Sequence, residues 1–117
     1  MNDLDKDDRV YLEDILLEIR RIRKFTAGMD KSGFMKDELV CHAVERCIQI
    51  IGEAARNVSE KFRHEHPGIE WKKIIAMRNI ITHAYGRVDY EVVWEVLQKD
   101  ITELEKKLQE AAKEKNG

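Results

Sequence analysis

Proline and glycine are scarce in this chain, at one and six residues in 117. A many-stranded protein needs turn residues at close intervals, so this composition argues against one. Cysteine is scarcer than glycine. Cys41 and Cys47 lie six positions apart in a helical pattern, too far for a bridge along one helix, and buried free thiols are the expected state. With His42, His64 and His66 they match no zinc spacing, so neither a metal nor a cofactor is expected. No apolar run approaches the ~18 residues of a membrane span. The stretch from Met1 to Asp8 is acidic, unlike a signal peptide, and the expectation is a cytosolic protein that does not enter the membrane. Charge of one sign is also missing, with a formal net charge of −2 and a pI near 6.1. A standing nucleic-acid binder usually has a domain pI above about 9. An enzyme that grips one or two phosphates locally is not excluded.

What the chain has is charge of both signs. Charged residues make up 38% of it, against a usual value of about 25%. They are interspersed with apolar residues, the pattern of charged helix faces and not of disorder. The length fits one domain over 1–117, able to bury a core without disulfides or metals.

Apolar spacing predicts four main helices. In the first, Asp7 to Thr26, Leu12, Ile15, Leu16, Ile19 and Ile22 form one stripe. Asp5, Asp7 and Asp8 suit its N-terminus, and Arg20, Arg21, Arg23 and Lys24 its C-terminal end. That basic cluster reads as a solvated helix end more readily than as an RNA guide. Residues 27–33 read as a loop. The second helix, Asp37 to Arg63, carries Val40, Val44, Cys47, Ile48, Ile51, Ala55, Val58 and Phe62, with Ala43, Ile50 and Ala54 widening the stripe. Gly52 inside it suggests close approach of another helix. The third spans Glu70 to Tyr85. The fourth opens at the N-cap Asp89 and runs to about Ala112 through Val93, Val96, Leu97, Ile101, Leu104 and Leu108. Residues 113–117 read as a frayed tail. Trp71 and Trp94 read as core or interface anchors. The expected architecture is an all-α bundle of four main helices, with an extra short turn near Ile69 to Lys73.

One run does not reduce to packing: Arg78-Asn79-Ile80-Ile81-Thr82-His83-Ala84-Tyr85. It sets an always-charged phosphate binder beside a group that titrates near neutrality, as phosphodiester chemistry requires. On a helical wheel at about 100° per residue, Arg78, Asn79, Thr82, His83 and Tyr85 share one side, and Met77, Ile80, Ile81 and Ala84 the other. Asn79 and His83, four apart, can then meet, the amide fixing the imidazole tautomer. A groove on one short helix is shallow, so two copies facing each other across a two-fold axis are expected to form the site. His83 would take the proton of a ribose 2′-hydroxyl and Arg78 would hold the phosphate. Glu53 is a candidate carboxylate to hold Arg78 in position, although a solvent-facing glutamate is an equal reading. Arg87 is a weaker candidate phosphate contact. The plain alternative is a surface salt-bridge and capping cluster.

The same run resembles the Arg-x-x-x-x-His-x-Tyr signature of HEPN-domain ribonucleases, and more closely the HepT toxins of MNT/HEPN toxin–antitoxin pairs. Further matching stretches are Glu45-Arg46, Ile48 to Ala55, Ile69-Glu70-Trp71 and Val88-Asp89 through Trp94, so the likeness covers roughly residues 8–108. It implies an antiparallel bundle of four to five helices that dimerises around the third. It implies a metal-independent endoribonuclease acting on mRNA or tRNA, with Arg78 and His83 catalytic; the supporting roles of Asn79 and Glu53 rest on the spacing of the residues. It also implies a partner, a small nucleotidyltransferase antitoxin that neutralises the toxin by placing AMP on Tyr85. A competing expectation of a different class is a non-catalytic helical subunit or substrate of such a nucleotidyltransferase.

Overall fold

The computed structural model of the chain describes residues 6–116, with side chains from 7 to 113. It is an all-α bundle measuring 48 × 31 × 20 Å. The helices are α1 (Lys6–Thr26), α2 (Lys31–Lys36), α3 (Glu38–Asn57), α4 (Glu60–Glu65), α5 (Trp71–Ile75), α6 (Met77–Ile80), α7 (Tyr90–Val96) and α8 (Thr102–Asn116). A π-helical turn, Leu97–Ile101, joins the last two. Among the described residues no helix is long and apolar enough to cross a membrane. The expectations for Asp5 and Gly117 lie outside the described residues, as do the side chains of most of the tail expected to fray.

The main packing pair is α1 with α3. Ile15, Ile19 and Ile22 of the first stripe and Val44, Cys47, Ile48, Ile51 and Ala55 of the second are buried in one continuous core. Both cysteines are buried and free. Each fully buried aliphatic side chain contributes on the order of 1.5–3 kcal/mol, so the matched stripes drive the assembly. Gly52 is where α5 crosses. A Cβ built there would meet the backbone oxygens of Ile74 and Ile75 at 3.4 and 3.5 Å.

The expected loop at 27–33 is half helix. Asp30 caps α2 by accepting from the Gly33 N–H at 2.7 Å. This short helix delivers Phe34 into the core against Trp94, with ring centroids 5.2 Å apart. Trp71 is buried and donates its indole N–H to the His66 carbonyl. Both tryptophans thus hold the bundle together.

The second helix does not run unbroken to Arg63. It ends at Asn57, where Val58 is extended, and α4 restarts after the cap Ser59. The cause lies 51 positions away, in the buried carboxylate of Asp8. Asp8 Oδ1 accepts the Ser59 N–H at 2.7 Å and Oδ2 accepts its hydroxyl at 2.6 Å. The Ser59 hydroxyl in turn accepts the Phe62 N–H, so one tie anchors α1 to the start of α4.

Candidate active site

The segment from Glu70 to Tyr85, expected as one helix, is two short helices followed by a hairpin. α5 stops at Ala76, α6 spans four residues and helical geometry ends at Ile80. The Thr82 hydroxyl donates back to the Arg78 carbonyl at 2.6 Å, closing the helix end. Thr82 then pairs with Val88 in an antiparallel bridge. His83 N–H donates to the Arg87 carbonyl at 2.7 Å, and Gly86 N–H donates to the His83 carbonyl at 2.9 Å. Gly86 has a φ of +78°. A three-residue hairpin loop closed by a left-handed glycine needs this conformation. The Asp89 N–H completes the turn by donating to the Ile81 carbonyl at 2.7 Å.

This geometry revises the helical wheel. Met77 and Ile81 are buried as expected, but Ile80 is 43% exposed and Ala84 lies on the surface of the hairpin. Asn79 is exposed, and the helical register that would bring it to His83 is not formed. The imidazole has a different partner. His83 Nε2 lies 3.1 Å from Asp89 Oδ2. Asp89 Oδ1 meanwhile accepts from the N–H groups of Glu91 and Val92 at 3.0 and 3.3 Å, capping α7. Sequence reasoning found Asp89 as a cap and missed it as the partner of His83. The available signal was Gly86, three residues beyond the histidine, which bends the chain back.

Arg78, His83, Tyr85 and Arg87 are all exposed on α6 and the hairpin. The His83 side chain is 62% exposed. Tyr85, near the hairpin tip, is 92% exposed. No acidic partner holds the Arg78 guanidinium among the described residues. Glu53 faces solvent on α3 and makes no ion pair with Arg78, so the supporting role expected of it is not formed within the protomer. The basic cluster on α1 is partly occupied. Arg21 pairs with the buried Glu18 at 2.6 Å and Arg23 with Glu105 at 2.9 Å.

The other histidines lie elsewhere. His42 Nδ1 is 3.1 Å from the Tyr90 hydroxyl, which donates to Glu45 at 2.7 Å. Burial, then the bond to Glu45, pushes the Tyr90 phenol above its ordinary range. His66 stacks on Phe62 at 4.3 Å. Among the described residues no His, Cys, Asp and Glu side chains group as metal ligands. A cleft of about 250 Å³ between α5 and α8 is crossed by the Lys73–Asp100 pair at 2.8 Å. It includes neither Arg78 nor His83.

The ribonuclease HepT-like family matches residues 15–111. This chain belongs to that family. A candidate RNase of Caldanaerobacter subterraneus subsp. tengcongensis is 39% identical over 105 residues, covering 90% of this chain and 94% of the relative. The Thermococcus cleftensis protein named "Probable ribonuclease HepT" is 38% identical over 103 residues, covering 88% and 94%. A candidate RNase of Methanocaldococcus jannaschii is 32% identical over 104 residues, covering 89% and 95%. No solved structure gives a significant match. The HepT-like membership accords with the helical bundle.

Proposed function

We propose that this HepT-like ribonuclease is a metal-independent endoribonuclease of mRNA or tRNA, acting as a two-fold dimer with α6 and the hairpin at the seam. One observation carries the reading. Arg78, without an acidic partner among the described residues, and His83, its imidazole steered by a carboxylate at 3.1 Å, stand exposed on one short stretch of chain. A surface salt-bridge cluster would have neutralised the arginine.

The chemistry follows from the groups. His83 removes the proton from a ribose 2′-hydroxyl. The 2′-oxygen attacks the adjacent phosphorus and the bond to the 5′-oxygen breaks, giving a 2′,3′-cyclic phosphate and a 5′-hydroxyl. The leaving 5′-oxygen takes a proton, which the protonated imidazole of the second protomer would supply. Arg78 grips the phosphate oxygens as charge gathers on them. The nucleophile belongs to the substrate, so no metal is required to generate it. A positioned acid or base supplies about 10²–10⁴-fold in rate.

The same reading makes the chain the toxin of a pair whose antitoxin is a nucleotidyltransferase. The Tyr85 hydroxyl attacks the α-phosphorus of ATP, pyrophosphate leaves, and the tyrosine proton passes to solvent. An anionic adduct there would put bulk and negative charge on the hairpin that carries His83 and repel an approaching phosphate backbone. The exposure of Tyr85 suits an enzyme that must reach it. It equally suits the second reading, a non-catalytic partner that the nucleotidyltransferase modifies. Incubation with RNA in EDTA separates them. We expect cleavage by the wild type and a loss of at least about 100-fold in His83→Ala. Equal cleavage by both removes His83 from the mechanism, and none by either leaves the binding partner.

A further inference from the structure

We infer that Asp89 is a positioning residue for His83, holding its imidazole through Nε2 so that Nδ1 is left as the nitrogen that accepts the substrate proton. This inference rests on the proposed role of His83.

The carboxylate is immobilised from three directions. Oδ1 is committed to the Glu91 and Val92 N–H groups. The Asp89 backbone N–H is tied to Ile81 at 2.7 Å, and its carbonyl accepts the Val93 N–H at 3.0 Å. The next residue, Tyr90, is clamped to Glu45 and His42 of α3, which fixes the start of α7 to the bundle. Oδ2 remains, and it lies 3.1 Å from His83 Nε2.

The histidine is held as firmly at its backbone. Its N–H and C=O are both used in the hairpin, to Arg87 and from Gly86. Only the side-chain torsions are then free, and the carboxylate selects among them. The contact is a 3.1 Å approach of Nε2 to Oδ2; an ionised carboxylate only accepts hydrogen bonds, so a proton bridging the two sits on Nε2. The lone pair then sits on Nδ1. Asp89 is only 28% exposed while His83 is 62% exposed, so the anion is shielded and the ring is accessible. When Nδ1 takes the substrate proton, the adjacent anion stabilises the resulting imidazolium. The reversed assignment, with Nε2 as base, would set its lone pair against the carboxylate oxygen.

A capping role alone predicts something different. Asn and Ser cap helices about as well as Asp. In Asp89→Asn the amide N–H₂ would face Nε2 and favour the wrong tautomer, and in Asp89→Ser the anion is gone. We expect both variants to keep the wild-type melting temperature within a few degrees, to keep KM for RNA within about twofold, and to lose about 10- to 100-fold in kcat. The ¹⁵N ring shifts of His83 should report a proton on Nε2 in the neutral wild type and a shift toward Nδ1 protonation in Asp89→Asn. Wild-type kcat in both variants, or an unchanged ring spectrum, overturns the inference. Should the wild type not cleave RNA, the proposed function fails alone, and the ring spectra still decide what Asp89 does.

Discussion

At the scale of single residues, the core and the site use charge in opposite ways. Glu18 is buried but paired with Arg21, and it also faces the Cys47 thiol. Burial, followed by the hydrogen bond to Glu18, pushes this thiol from the usual 9.0 up to about 12. Folding raises the pKa, so the native state keeps a proton that the unfolded chain releases. The stabilisation this brings is complete below pH 9 and disappears as the pH climbs toward 12. Cys47 should therefore resist a thiol reagent at pH 8 in the native protein and react once the chain is denatured, while the folded protein loses stability above pH 9. Rapid labelling of Cys47 in the native state would contradict its burial. At the site, the aromatic and basic side chains are left in the open. Tyr85 gains nothing for the fold by being 92% exposed, so packing does not explain its place on the hairpin.

At the scale of elements, the proposed function rests on the hairpin after α6. Two glycines separate its contribution from general stability. Gly86 and Gly28 have φ of +78° and +76°, and a Cβ at either would meet nothing within 4 Å. Replacing either by alanine therefore costs only backbone strain, about 1–2 kcal/mol. Gly86→Ala and Gly28→Ala should lower the melting temperature by similar amounts. Only Gly86→Ala, which moves His83 relative to Asp89, should reduce RNA cleavage, and by more than tenfold. Melting curves and initial rates measured side by side check this. Equal rates in the two variants would show that the hairpin's shape is irrelevant to the reaction.

At the scale of the whole molecule, one protomer presents Arg78 and His83 both exposed to bulk water, on α6 and the hairpin that follows it. The proposed remedy is a second copy. If one groove draws on both protomers, Arg78→Ala and His83→Ala should each be inactive alone, and mixing them under conditions that exchange subunits should restore measurable cleavage. Equilibrium sedimentation, expected to give a dimer, accompanies the assay. Failure of the mixture to recover any activity, with exchange demonstrated, would show that one arginine and one imidazole from opposite protomers do not make a working groove.

The amphipathic stripes of α1 and α3, the free buried thiols and the packing tryptophans were all legible in the sequence. They depend on local periodicity and on side-chain chemistry, both of which a linear reading samples directly. The helix breaks were less legible. Ser59 interrupts the second helix because Asp8, 51 residues earlier, captures its N–H and hydroxyl. His83 leaves the helix because Gly86 and Asp89 together fold the chain back onto Ile81. A period of 3.6 extended through such points assigns Asn79 to the imidazole. The tertiary structure assigns Asp89 instead, because contacts across a turn depend on where the backbone reverses and not on spacing along a helix that has already ended.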